Sequence, residues 1–337
     1  MSAPDITRQD WLDLRRSGIG SSDAAAACGE SSTSPAELVL QKRGIMRPHN
    51  LSEIEAVQWG NLLEPVIMSL IKPVIIRNTA SRKGLRILDP VLDRRMIEHE
   101  IEQTGETEVV GWIDRSQAFL RSVERPWQHA AIDGIAIDEH SGLVDIEAKN
   151  VGFYHSREWD PENGIAPAKF DIQIAHQLAV APAFKTAILA GLVGGNSLRI
   201  LIRERISMHA TIEAVIALET RVWKCIGNGD LPPFNGSESH IRALRAMHPK
   251  DNGQTISLPV ESIEWDEELR GLQSAQSHTV KRIKELQRML ESAMDGNTYG
   301  ELPEGRGVYS NRWQDRKGHE VKPSSFPVLR RDGNGNA

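Results

Sequence analysis

Asp133, Glu147 and Lys149 are the residues whose types and spacing first suggest chemistry in this chain. Two carboxylates with an ammonium alongside make a site for a hard divalent cation, with a positive group next to a bound water. They sit in residues 130–150, AAIDGIAIDEHSGLVDIEAKN, where apolar runs at 132–137 and 143–146 flank a polar turn at 138–142. That pattern predicts a β-hairpin. Strand alternation puts Glu147 and Lys149 on one face, and antiparallel pairing brings Asp133 beside Glu147. The pattern is not specific. Glu-x-Lys is common, and a second case, Glu320-Val321-Lys322, stands in DRKGHEVKPS with no apolar strand around it. Taken alone, a solvated strand end is the favoured account of the first case.

Other segments add candidates. In residues 11–29, WLDLRRSGIGSSDAAAACG, a helix is expected to end near Arg16 and Gly18 and Gly20 to shape a turn. An Ala-rich helix is then expected to start after Ser21 or Ser22 and stop at Gly29. A helix N-terminus with an arginine pointing at it suits a phosphate, although an ordinary capped helix reads the same way. Residues 35–44 form an amphipathic pattern. Within 51–73, Leu62, Leu63, Val66, Ile67, Leu70 and Ile71 follow helical spacing. Glu64 stands among them before the helix-kinking Pro65, either as a solvated gap in the stripe or as an inward ligand. Residues 168–180, AKFDIQIAHQLAV, read as a helix with Gln173, His176 and Gln177 on one face, where such side chains are usually surface groups.

The surrounding pattern supplies strands at 108–113, a hairpin at 186–203 around Gly194-Gly195-Asn196, and a helix at 211–226, which together predict an α/β sandwich with a mixed sheet. Residues 81–84 carry turn chemistry and 153–167 read as loop. A boundary is expected in the polar stretch 235–259, dividing a domain at 1–234 from an extension at 235–337. The extension holds a long helix at 266–294, a small hairpin at 308–329 and a disordered tail. In that helix 281–288 reads as a mixed-charge exposed face.

The 337 residues are 39% hydrophobic and 26% charged, ordinary for a soluble globular chain. No apolar run is long enough for a membrane span, and the first residues lack a secretory pattern. Two cysteines, Cys28 and Cys225, fit a reducing, cytoplasmic compartment and are too few for an all-cysteine zinc site. A net charge of −6 argues mildly against a nucleic-acid partner, unless a metal and a local arginine cluster carry the contact.

Taken in order, LRRSGIGSSDAAAACG, WGNLLEP, IDGIAI…VDIEAK and QIAHQLAV resemble the YqaJ-like viral recombinase nucleases, the lambda-exonuclease-type group within the PD-(D/E)xK superfamily. The resemblance covers residues 10–226. Each motif alone is common, but four in the right order, with an Arg-x6-Ser element, are specific. The resemblance implies a restriction-endonuclease-like α/β core, a central mixed β-sheet flanked by helices, here followed by a helical C-terminal extension. It implies a Mg2+-dependent deoxyribonuclease, with Mn2+ able to substitute. The leading form is a 5′→3′ exonuclease at double-stranded DNA ends, feeding a single-strand annealing protein in phage-type recombination. A ring trimer and a phage or prophage origin follow by the same analogy. A structure-specific or nicking endonuclease and a catalytically inactive DNA-binding subunit are the alternatives.

Residue by residue, Asp133 and Glu147 match the family's metal-binding acids, with the backbone of Ala148 as a further ligand, and Lys149 matches its catalytic lysine. Glu64 matches the upstream glutamate near the metals, and Gln173 the glutamine of the helix after the core. Arg15 and Ser22 match the contacts to a 5′-phosphate. Ile132 stands where the family often has Pro, and Gly20-Ser21-Ser22-Asp23 where Gly-Gly-Ser-Asp is usual. Ala175 stands where a second Gln is common, which makes His176 and Gln177 auxiliary candidates.

Overall fold

The computed structural model describes residues 2–48, 53–78, 85–139, 142–250 and 253–312, with backbone alone for 72–78. They fall into two compact units, Met1–Asp251 and Asn252–Ala337. The first opens with strand β1 (Asp5–Ile6), helix α1 (Arg8–Arg16), strand β2 (Ile19–Gly20) and helices α2 (Ser21–Ala27), α3 (Pro35–Lys42) and α4 (Glu55–Asn78). Strand β3 (Arg86–Ile87) and helix α5 (Arg94–Glu102) lead into strands β4 (Thr107–Ile113), β5 (Gln117–Ser122), β6 (Gln128–Ile132), β7 (Gly134–Asp138) and β8 (Gly142–Val151). Helix α6 (Ala168–Val180), strands β9 (Thr186–Val193) and β10 (Ser197–Glu204), and helices α7 (His209–Asn228) and α8 (Glu238–Met247) complete the unit.

Among the described residues one sheet runs β1-β4-β5-β6-β2 and a second runs β10-β9-β8-β7-β3. Both are mixed. In the second, β8 and β9 are parallel while β7 and β8 pair antiparallel. Parallel neighbours need a crossover, and α6 supplies it. Strand β8 is covered on both faces. Leu143 packs with Ile174 and Leu178 of α6, whereas Val144 and Ile146 pack with Ile67 and Ile71 of α4. Period-2 alternation therefore aims the odd-numbered residues of β8, Glu147 and Lys149 among them, toward α6. The chain leaves the first sheet after Ile132 and enters the second at Gly134, so Asp133 is the junction residue.

Helix α4 continues through Pro65, where a kink was expected, and through Pro73. Of its apolar stripe, Leu63, Ile67 and Ile71 turn to the sheet, while Leu62, Val66 and Leu70 are exposed. The stretch 235–259, expected to be turn-rich and to hold the boundary, contains α8. Ala243 of α8 packs against Ala36 and Leu40 of α3. The Ser239 hydroxyl donates to Glu37 Oε2 at 2.6 Å. Residues 235–250 thus belong with the first unit; a ten-residue helix set among polar residues shows too little apolar pattern to be read from the sequence.

In the second unit, α9 (Ser262–Met294) precedes an antiparallel hairpin of β11 (Tyr299–Glu301) and β12 (Val308–Ser310). Of the hairpin expected at 308–329 only 308–312 lie within the described residues, and there β12 pairs with β11. Residues 313–329, the tail at 330–337, the turn at 81–84 and the hairpin tip at 140–141 lie outside the described residues. No described helix is long and apolar enough to cross a membrane.

Candidate active site

The N-terminal part of the site depends on a close backbone approach. Ile19 donates its N–H to the Trp127 carbonyl at 2.7 Å, and β2 lies parallel to β6. A side chain at Gly18 would come within 2.3 Å of that same Trp127 carbonyl oxygen, so only glycine allows the pairing. Helix α2 then starts at Ser21, with Gly20 as its cap residue and the Asp23 side chain accepting from the Gly20 N–H at 3.1 Å. Ser22 is free of capping and instead accepts from Arg15 Nη2 at 2.7 Å. The same Arg15 nitrogen reaches Asp23 Oδ1 at 3.1 Å, and Lys42 Nζ meets Asp23 Oδ2 at 2.7 Å. Burial pushes the Asp23 carboxyl up, but Lys42 and Arg15 outweigh it and hold its pKa down at about 2. Arg15 is thereby aimed before any ligand arrives. Its guanidinium and that of Arg8 also stack near the ring of Trp11.

The acidic part assembles around Glu147, whose side chain is 2% exposed. Gln173 Nε2 donates to its Oε1 at 2.7 Å and Gln177 Nε2 to its Oε2 at 2.5 Å, so one turn of α6 grips both oxygens. The Lys149 ammonium pairs with Oε1. Asp133 accepts from the Ala148 N–H at 3.1 Å and from Gln117 Nε2 at 3.1 Å. The same Gln117 nitrogen donates to Glu64 Oε1 at 2.7 Å and so bridges the two carboxylates.

This crowding shows in the charges. Burial, then the Glu147 and Glu64 carboxylates, raise the Asp133 pKa well above the usual carboxylate range. Glu64 is raised by burial too, partly countered by the Gln117 hydrogen bond. Burial works against the Lys149 charge, but Glu147 and Asp133 prevail and lift its pKa above that of an ordinary lysine. Lys149 is therefore a fixed ammonium at neutral pH.

A cavity of about 350 Å3 joins both parts. Arg15, Ser22, Glu64, Asp133, Glu147, Ala148, Lys149 and Gln173 all line it. Among the described residues no group of three or more His, Cys, Asp or Glu forms a ready metal cage. The Gln117 amide and the Lys149 ammonium stand against the carboxylates. The donors still fit Mg2+, which needs only one or two carboxylates and completes its shell with water and substrate phosphate. In a strand the N–H and C=O of one residue leave on the same edge, so the Ala148 carbonyl faces the Asp133 side as its N–H does. Asp133, Glu147 and that carbonyl make an all-oxygen set.

The family profile described as "YqaJ-like viral recombinase domain" matches residues 10–72, the segment holding Arg15, Ser22 and Glu64. The "Uncharacterized protein YqaJ" of Bacillus subtilis (strain 168) is 25% identical over 337 residues, covering 97% of this chain and 92% of its own length. Residues 10–72 are thus similar to that family, and the chain as a whole to that relative. Among solved structures it is similar to an alkaline exonuclease, LHK-Exo, from Laribacter hongkongensis. The identity is 14%, with 65% of this chain and 95% of that one covered and a TM-score of 0.37. LHK-Exo in complex with dAMP gives 14% identity, 66% and 97% coverage, and a TM-score of 0.39.

His176 does not join the cavity, contrary to its reading as an auxiliary. It is fully buried, with Nδ1 2.7 Å from Glu219 Oε1 and Nε2 2.7 Å from the His129 carbonyl oxygen. Gln128 Nε2 donates to the other Glu219 oxygen at 2.5 Å. Three residues from Gln173 and one from Gln177, His176 points around α6 toward α7, and only the i, i+4 pair reaches Glu147. Burial disfavours a charged His176, but Glu219 outweighs it and raises the pKa. The pair's stabilisation is then complete below about pH 6.5 and is lost as pH rises through the raised folded value. His176→Ala leaves Glu219 buried with Gln128 alone. It is expected to lower stability by about 3–5 kcal/mol, read by chemical denaturation, and to remove this alkaline decline.

Gln117 was not singled out from the sequence, since a glutamine in a strand pattern carries no motif. His129 also lines the cavity, and burial pushes its imidazole pKa down to about 4. Asp145, on the same face of β8 as Glu147, is wholly buried with neither oxygen hydrogen-bonded. Burial and the Glu147 charge push its pKa well up.

Proposed function

We propose that this chain is a metal-dependent deoxyribonuclease, a 5′→3′ exonuclease acting on double-stranded DNA ends in recombination. The observation that carries the reading is the single cavity in which an acidic, oxygen-donor set faces the Arg15–Ser22 pair. Asp133, Glu147 and the Ala148 carbonyl would hold Mg2+ or Mn2+, with Glu64 assisting. When bound, the cation neutralises the carboxylates and lowers the pKa of a coordinated water.

The chain's own residues supply the rest. Gln173 and Gln177 lock the Glu147 rotamer, and Gln117 sets Glu64 against Asp133. Lys149, held protonated, places positive charge where the phosphoryl oxygens gain negative charge, and orients the attacking water. It does not act as the base. Arg15 and Ser22 bind a terminal 5′-phosphate, which positions the strand without reading its sequence. The local arginines counter the objection raised by the net charge of −6.

The test is digestion of linear and closed circular duplex DNA, with and without Mg2+. Cation-dependent loss of the linear form with intact circles is expected. Cut circles would make it an endonuclease, and binding without any cleavage a non-catalytic subunit. Arg15→Ala tests the clamp. Loss of a charged hydrogen bond worth about 1.5–3 kcal/mol should cut the preference for 5′-phosphate over 5′-hydroxyl ends by roughly 10- to 100-fold. Asp23 keeps Lys42, so folding survives. An unchanged ratio of the two rates removes the role.

A further inference from the structure

Helix α9 spans 33 residues without one buried side chain. Trp265, Leu269, Leu272, Gln276, Thr279, Ile283, Leu286 and Leu290 recur along it at alternating spacings of four and three. That is the a/d seam of a coiled coil. Trp265 and Leu272 are each 61% exposed, and Ile283 and Leu286 are exposed as well. Charge is divided along the same helix. The N-terminal half carries Glu264, Asp266, Glu267 and Glu268 against Arg270, and the C-terminal half carries Lys281, Arg282, Lys284 and Arg288 against Glu285 and Glu291.

We infer that α9 pairs with α9 of a second copy of this chain as an antiparallel two-stranded coiled coil. The occupant and the direction follow from two independent features. An antiparallel pairing lays the acidic half of each helix along the basic half of the other, whereas a parallel one sets acid on acid and base on base. The layers then become Trp265 with Leu290, Leu269 with Leu286, Leu272 with Ile283, and Gln276 with Thr279, so the two polar seam positions meet each other and every apolar one meets an apolar one. A parallel pairing would face Gln276 with Gln276 and Trp265 with Trp265. Polar residues meeting only in the central layers hold the register, since a one-heptad slip would set them against Leu or Ile. The paired region, 26 residues from 265 to 290, is about 39 Å long at the helical rise. This pairing does not depend on the nuclease reading.

The test is the mass of the full chain by light scattering across micromolar concentrations. A dimer is expected, or an even multiple if the first unit also associates. Leu272→Glu with Ile283→Glu should raise the dissociation constant by ~100-fold or more, while Gln276→Leu with Thr279→Leu should lower it by ~10-fold. Direction is read by oxidative cross-linking against the parent chain, whose own Cys28 and Cys225 set the background. A mixture of Leu269→Cys and Leu286→Cys chains should cross-link between variants, and neither variant alone should do so. A monomeric parent chain, or an oligomer unmoved by the Leu272→Glu, Ile283→Glu change, would overturn the pairing. Self-cross-linking of the Leu269→Cys chain would overturn the antiparallel direction.

Discussion

Glu147→Gln is expected to lower the rate of the proposed Mg2+-dependent cleavage of linear duplex DNA by about a thousandfold, some 4 kcal/mol of lost transition-state stabilisation. The substitution is nearly isosteric, so shape is kept while the charge goes. Glu147 is the group on which Gln173, Gln177 and Lys149 all converge. A neutral amide there offers one acceptor to three donors, so at least one of the clamping amides or the ammonium loses its partner. A bound cation would lose one of its carboxylate ligands at the same time. The measurement is initial release of acid-soluble nucleotide at saturating Mg2+, with thermal denaturation as the folding control. A rate within tenfold of the parent chain, in folded protein, would remove Glu147 from the centre of the site.

Lys149→Ala is expected to slow the same reaction by roughly 10^2- to 10^3-fold, about 2.7–4 kcal/mol, the scale of losing one preorganised positive group in a site of this kind. The loss should fall on the chemical step rather than on DNA binding, because Lys149 is half-enclosed between Glu147 and the ring of Phe170. Its raised pKa fixes the sign of the pH dependence. A lysine acting as base would have to lose its proton near neutrality, whereas here the ammonium persists beyond the ordinary lysine range and only strongly alkaline conditions remove it. Single-turnover rates between pH 6 and 9 should therefore differ between parent and variant by a constant factor. A ratio that grows with pH through neutrality would assign Lys149 the role of base instead.

The two variants also separate the parts of the site. Glu147→Gln should weaken the response to Mg2+ concentration, whereas Lys149→Ala should leave the half-saturating concentration near that of the parent chain. Both should retain the 5′-phosphate preference, since Arg15 is held by Ser22 and Asp23 and not by the acids.

Much of this was legible along the chain, because the signals were local. Helix α6 was read at its observed bounds, 168–180, from apolar spacing, and the strands around Gly194-Gly195-Asn196 from a turn signal. The pairing of β7 with β8 followed from alternation around a polar turn, and it brings Asp133 to Glu147 because antiparallel register leaves little choice. The Arg15–Ser22 contact joins residues seven apart across a glycine turn and lies within reach of a motif.

What the chain could not show was which distant groups meet. Gln117 comes from another strand to bridge Glu64 and Asp133, and nothing in its neighbours marks it. The direction of His176 was undecidable from spacing, since a helical face of three residues spans an arc wide enough to address two partners; the buried Glu219 of α7 claimed the histidine, and Glu147 claimed Gln177. Glu64 could have faced solvent or ligand, and the packing of Leu63, Ile67 and Ile71 on the sheet turned it inward. Helix α8 owes its place to α3, some two hundred residues earlier. Local propensity and periodicity set the elements and the residues each could offer. Which of them converge on one cavity is a property of non-local packing, whose energy lies in contacts that no window of sequence contains.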